Sequence, residues 1–164
     1  IIIHFKRMKI TLLVVGKTEA EYLKTGIDLY LKRIKHYIAF NEIVIPALRS
    51  TKSLSEIQQK QKEGELILDL IKPVDDVALL DERGDLLSSV GFSDFLEKKM
   101  ISGTRNIVFV IGGPYGFSDY VYNRANYKIS LSKMTFSHQM VRLLFVEQIY
   151  RAMTIMKGEP YHHQ

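Results

Sequence analysis

The stretch FVIGGPYGFS, Phe109–Ser118, is an apolar run that breaks at three glycines and a proline and then resumes in a helix-like pattern. Strand, glycine turn and helix in that order commonly mark a ligand site, because ligands of open α/β sheets sit outside the carboxyl ends of strands. Two phosphate-binding patterns do not fit. Gly112, Gly113 and Gly116 give G-G-x-x-G rather than G-x-G-x-x-G, and no G-K-[ST] follows. By itself the turn reads equally well as a sharp bend in which glycines supply positive φ and Pro114 adds stiffness.

Working outward, five β-branched runs alternate with helical patterns: KITLLVVG from Lys9, NEIVIPA from Asn41, DDVALLDE from Asp75, NIVFVIGG from Asn106 and YKISLSK from Tyr127. The alternation predicts βαβ units around a parallel sheet. Thr18 with Glu21, and Ser53 with Glu56, have capping-box spacing and predict two helix starts, the second helix ending near Ile71 ahead of Pro73. A third helix is expected over Ser89 to Ile101, with Gly103 behind it. The last should start at Ser137 or His138 and run to Lys157, stopped by Gly158 and Pro160.

In that last helix Val141, Leu144, Ile149, Ala152 and Ile155 cover one side, and Met140, Leu143, Phe145, Val146 and Met153 cover much of the rest. A helix apolar nearly all round is buried on two sides. One side is expected on its own sheet and the other against a second subunit, in a symmetric dimer.

The 164 residues, 46% hydrophobic and 25% charged, suit one globular domain. Because there is no cysteine, disulfides, thiolate metal sites and cysteine nucleophiles are excluded, and a cytoplasmic location is the expectation. The longest candidate membrane segment, Ile10 to Val15, falls far short of the ~20 apolar residues a spanning helix needs. Met8 opens the first good strand, so Ile1 to Arg7 reads as an extension upstream of a single domain over residues 8–164. The net charge of +5 leans towards a polyanionic partner, although clusters such as Lys32, Arg33 and Lys35 also suit a solvated helix face.

Three strand ends stand out: Leu79 and Leu80 run into DERGD, Ile111 into GGPYG, and Leu131 into SKMTF just before the last helix. Together they could form a slot that grips an adenosine by main-chain hydrogen bonds and apolar contact. MKITLLVVGK, FVIGGPYG, SLSKMTFSHQMVRLLFVEQIYRA and the closing GEPYHH make the chain resemble the ribosomal RNA large-subunit methyltransferase H family, the pseudouridine N3-methyltransferases of the SPOUT superfamily. The resemblance spans Met8 to His163. It implies an α/β parallel sheet with a C-terminal trefoil knot, an obligate homodimer, and S-adenosylmethionine as methyl donor. The cofactor contacts it implies are Leu80, Gly112, Leu131, Ser132, Lys133, Met134, Thr135 and Phe136. Large-subunit rRNA, in an assembled ribosome, is the implied substrate.

Methyl transfer is an in-line displacement at a sulfonium carbon, so the protein must align a nucleophile and help remove its proton. Without cysteine, covalent methylation of a pyrimidine carbon is disfavoured, while transfer to a ring nitrogen or oxygen stays open. The resemblance selects N3 of pseudouridine. His138, Arg142, Glu147 and His162 are candidates for handling the imide proton. Of these the catalytic candidates are Arg142, expected to face an RNA phosphate or the cofactor carboxylate, and His162, either the tip of a frayed terminus or, as the resemblance implies, folded over the site. Glu147, Tyr150, Arg151 and Tyr161 are the substrate-binding candidates, the tyrosines by stacking on a splayed base; Glu147 and Arg151 also suit an ordinary helical ion pair. No metal site is expected, because His162 and His163 lack further ligands at useful spacing. Two rival readings remain, a Rossmann-type nucleotide-dependent oxidoreductase, which lacks its glycine fingerprint, and a non-catalytic ribosome-binding module, which leaves the pocket without a purpose.

Overall fold

The structure, a computed structural model, describes residues 7–163. Of the expected upstream extension all but Arg7 lies outside the described residues. Five strands, β1 (Lys9–Val15), β2 (Ala39–Ile45), β3 (Asp76–Leu86), β4 (Asn106–Ile111) and β5 (Tyr127–Ser130), alternate with helices. The helices are α1 (Glu21–Ile34), α2 (Glu56–Asp69), α3 (Ser89–Ile101), α4 (Asp119–Arg124) and α5 (His138–Met156). All strand pairs are parallel, in the order β2-β1-β4-β3-β5.

The central strands β1 and β4 are apolar without a break because both their faces are covered. Ile10, Leu12, Val14, Ile107, Phe109 and Ile111 point to one face, into a core shared with Phe145, Ile149 and Met153 of α5. Leu13, Val15, Val108 and Val110 point to the other, against Ile67 of α2 and Val121 of α4. Alternation along each strand thus feeds two cores.

Two helix starts differ from the sequence expectation, each by two residues. Helix α1 has Ala20 at its N-cap with no side-chain cap, because the Thr18 hydroxyl is engaged by Arg142 instead. Helix α2 is capped by Ser55, not Ser53, through a capping box with Gln58. It also stops at Asp69, with Leu70 as its C-cap, short of Ile71. Helix α5 begins as expected, its N-cap Ser137 Oγ accepting from the Met140 backbone N–H at 3.1 Å.

Helix α5 lies over the sheet between α1 and α3. Gly26 lets α1 close in, since a Cβ there would fall 2.9 Å from Leu143 Cδ1. Much of the second apolar face is therefore covered within the chain, which buries Phe145, Val146, Ile149, Ala152 and Met153; Met140, Val141, Leu144 and Ile155 stay half-exposed.

Strand β3 runs past the end read from sequence. Its pairing with β5 breaks between Leu80 and Asp85, both of which face Ile129, so residues 81–84 form an excursion. The excursion crosses β5 main chain on main chain. A Cβ on Gly84 would lie 2.5 Å from the Lys128 carbonyl carbon, a gap only glycine fits.

Candidate active site

At the carboxyl ends of β3, β4 and β5 lies a cavity of about 670 Å³, within the range that holds a small-molecule ligand. Leu80 and Gly112 line it from two strand ends, and Leu131, Ser132, Met134, Thr135 and Phe136 from the segment that leads into α5. Lys133 is exposed and is not part of the lining. The three strand ends singled out in the sequence therefore share one volume. A smaller hollow of about 220 Å³ lies beside it, sharing Ile129 to Ser132 and Phe136 and closed by Leu87, Phe92 and Leu144.

The cavity wall is held by short local bonds. The GGPYG turn closes on itself, Gly116 N–H donating to the Gly113 carbonyl at 3.2 Å, with Gly116 at φ 81°, where a side chain would be strained. Ser130 Oγ donates to the Ser132 carbonyl at 2.8 Å, and Ser132 Oγ accepts from Met134 N–H at 2.9 Å. Thr135 Oγ1 donates to Glu82 at 2.8 Å and ties the segment to the β3 excursion. Beside it Asp81 accepts from the Tyr122 hydroxyl and the Arg83 N–H. Burial, then that bond to Asp81, pushes the Tyr122 hydroxyl up to about 12. Segment 130–136 thus reaches the cavity with the Ser132 carbonyl and the Met134 N–H bonded locally and its larger side chains, Met134 among them, turned partly to solvent.

His138, first residue of α5, is the imidazole in the cavity lining. Burial and then the Arg142 charge hold it below its ordinary value, with Glu19 and Glu63 pulling the other way. A neutral imidazole at neutral pH follows.

Arg142 is fully buried and outside the lining. Its Nη1 donates to the Gly16 carbonyl at 2.8 Å and to Thr18 Oγ1 at 3.2 Å, and its Nη2 to the Val15 carbonyl at 2.8 Å. The partners are neutral oxygens at the end of β1, where the sequence reading expected an anion. Burial lowers its proton affinity, offset by Glu42 and Glu19. The same desolvation raises Glu42, against the pull of Arg142.

The other candidates gather elsewhere. Arg151 Nη2 meets Glu147 Oε1 at 2.6 Å, and Arg151 Nη1 meets His162 Nδ1 at 3.1 Å. Tyr161 donates to Glu147 at 3.0 Å, and its ring sits edge-on to Tyr150 with centroids 4.7 Å apart. The Arg151 guanidinium lies 4.7 Å over the Tyr161 ring. Glu147, Tyr150, Arg151, Tyr161 and His162 are thus one cluster, with the tail folded onto α5 and α1. None of them lines the cavity. Along α5, about 20 Å of helix separates Arg151 from His138 at 1.5 Å per residue. Sequence reasoning grouped these residues with the donor site; within one chain the fold separates them.

A five-stranded parallel α/β sheet with its pocket at the strand ends, a glycine turn in the pocket wall and a buried terminal helix defines a class. The chain belongs to the SPOUT methyltransferase family: the family model described as "Predicted SPOUT methyltransferase" matches residues 8–162. Among curated proteins, the chain is 59% identical over 157 residues to "Ribosomal RNA large subunit methyltransferase H" of Parabacteroides distasonis, covering 96% of this chain and 100% of the relative. It is 60% identical, with the same coverage, to the protein of that name from Flavobacterium psychrophilum. Among solved structures, "a probable methylase family protein from Haemophilus influenzae Rd KW20" matches with a TM-score of 0.50 at 12% identity, over 98% of this chain and 72% of that one, a likeness of fold.

Proposed function

We propose that this protein transfers a methyl group from S-adenosylmethionine to N3 of a pseudouridine in large-subunit ribosomal RNA, acting on the assembled ribosome as a homodimer in the cytoplasm. The observation that carries the reading is the single cavity joining Leu80, Gly112, Leu131, Ser132, Met134, Thr135 and Phe136, with room for an adenosine. The names of the relatives supply the substrate class, and the net charge of +5 suits a phosphate backbone. In this reading the 131–136 segment and the β3 excursion that crosses β5 at Gly84 belong to the trefoil knot.

S-adenosylmethionine supplies an electrophilic methyl group. Leu80, Gly112, Leu131, Ser132, Met134, Thr135 and Phe136 hold and orient it, and Lys133, exposed beside them, faces the RNA. The glycines let main chain approach closely, and Leu131 and Phe136 would give the donor apolar contact. Arg142 acts as a positioning residue, clamping the β1 end to α5. His162, Tyr161, Tyr150, Arg151 and Glu147 meet the target base. Because the cluster lies far along α5 from the cavity of its own chain, a second copy must bring its tail to that cavity. The half-exposed Met140, Val141, Leu144 and Ile155 are the face on which the copies pack.

The test is methylation of ribosomes lacking the modification, read by mass spectrometry of the rRNA fragment, with sedimentation as its companion. The expected results are a methyl group on the pseudouridine ring and a mass about twice 19.0 kDa. Unmodified ribosomes after incubation with donor-loaded protein, or a monomer at micromolar concentration, overturn the reading.

A further inference from the structure

A buried carboxylate stands behind the glycine wall and has no part in the reading above. Glu63, on α2, is 4% exposed, and its Oε2 has no hydrogen-bond partner. The other oxygen accepts from Gln59 Nε2 at 3.0 Å. Among the described residues the salt bridges are Lys24–Glu21, Lys99–Asp76 and Arg151–Glu147, and none reaches Glu63. A desolvated, unpaired carboxylate oxygen is costly, so its retention calls for something that uses its charge.

Its neighbour is the cavity wall. A Cβ built on Gly113 would lie 2.7 Å from Glu63 Oε2 and 3.0 Å from Oε1, so the carboxylate rests against the turn. Helix α2 can come this close because of Gly64, whose Cβ would fall 2.5 Å from Ser118 Oγ. Gly113 lines the cavity, so the thickness of one glycine separates the carboxylate from the ligand volume.

Methyl transfer changes the charge held in that volume. The acceptor nitrogen forms its bond to the methyl carbon as the carbon–sulfur bond breaks. Sulfur keeps the electron pair, and the nitrogen's proton leaves to water. A methylsulfonium cation is thereby replaced by a neutral thioether. We propose that Glu63 is a specificity-determining residue of the donor site, its charge acting through the Gly113 main chain to favour the methylsulfonium donor over the demethylated thioether product. The inference rests on S-adenosylmethionine as the donor.

The experiment is calorimetry on the full chain with S-adenosylmethionine and, separately, S-adenosylhomocysteine. Glu63→Gln keeps the shape and removes the charge. It is expected to weaken donor binding roughly fivefold to tenfold while product affinity changes by less than about twofold, because charge interactions persist at short range in a low-dielectric wall. Gln59→Lys, which sets an ammonium beside Glu63 from the half-buried turn before it, is expected to shift the ratio of the two affinities the same way and decides the matter if Glu63→Gln does not fold. Equal weakening of both ligands means that Glu63 only props the turn, and overturns the inference, as does an unchanged ratio. Wild-type protein that binds neither ligand overturns the donor reading itself and the inference with it.

Discussion

The two ends of α5 are built in opposite ways. At its start the chain offers a glycine turn and two serine hydroxyls bonded to near neighbours, beside Met134, Phe136 and His138, around an open volume of about 670 Å³. At its finish it offers long side chains, Arg151, Glu147, Tyr161 and His162, that bond one another. A site braced by short main-chain bonds has much of its geometry before the ligand arrives and loses little ordering entropy on binding. Side chains clustered on a tail can exchange their partners for those of a base or a phosphate. The first construction suits a small ligand of constant shape; the second suits a large and variable surface.

The strongest way to break this contrast is at Arg142, which supports the rigid end. Arg142→Ala leaves the Val15 and Gly16 carbonyls without their donor and opens a void, and should cost about 3 kcal/mol of stability in denaturant unfolding. A change under about 1 kcal/mol would show that the guanidinium does not anchor the β1 end. Next comes the wall. Gly113→Val drives a branched side chain into the Glu63 carboxylate and should weaken donor binding about 100-fold by calorimetry. Unchanged affinity in a folded variant would remove the wall from the donor site. Gly112→Val is a less clean probe than its place in the sequence suggests, since its Cβ points at Phe117 Cε1, 3.1 Å away, and at the Gly116 carbonyl rather than into open space.

Removing residues 161–164 probes the other end. Donor affinity should stay within about twofold and ribosome methylation should fall at least about tenfold, the signature of lost transition-state contacts. Full methylation by the shortened chain would assign the tail to packing alone. The smallest effect concerns His138. Because its folded value lies below 6.5, its contribution is present above that pH and is lost as pH falls towards the folded value, where the protonated ring is disfavoured by burial and Arg142. Stability should therefore decline on acidification below 6.5, and His138→Asn should flatten that decline in thermal melts taken across this range. An identical slope in the variant would assign the acid sensitivity to other groups.

Legibility in the sequence followed the range of the forces involved. Strands were legible because burial on both faces makes β1 and β4 apolar throughout, and the start of α5 because Ser137 caps it locally. The start of α1 was not, because Thr18 chooses between its own helix and Arg142, a residue 124 positions away. Ser53 and Ser55 differ only in which reciprocal partner lies three residues on, and Gln58 outcompetes Glu56. That the three strand ends share one cavity was legible through the glycines and the family motif. The distance between cavity and tail was not, since a helix hides in one dimension how far apart its ends lie. Glu63 carried no local signal at all; its meaning appears only when Gly113 is placed against it.

The strand order also sets a timetable. Central strand β1 pairs on one side with β2, but its other neighbour is β4, with Lys9 opposite Asn106 and Val14 opposite Ile111. During synthesis the N-terminal hundred or so residues therefore have no completed sheet to join, and an apolar strand waits with one edge unpaired while α1 to α3 are made. Long-range parallel pairing of this kind is slow and exposes the chain to aggregation. The Gly84 crossing then has to be laid against β5, which is made later still. Expression yield should accordingly respond more to the rate of translation through residues 16–105 than to changes in the stability of the finished fold.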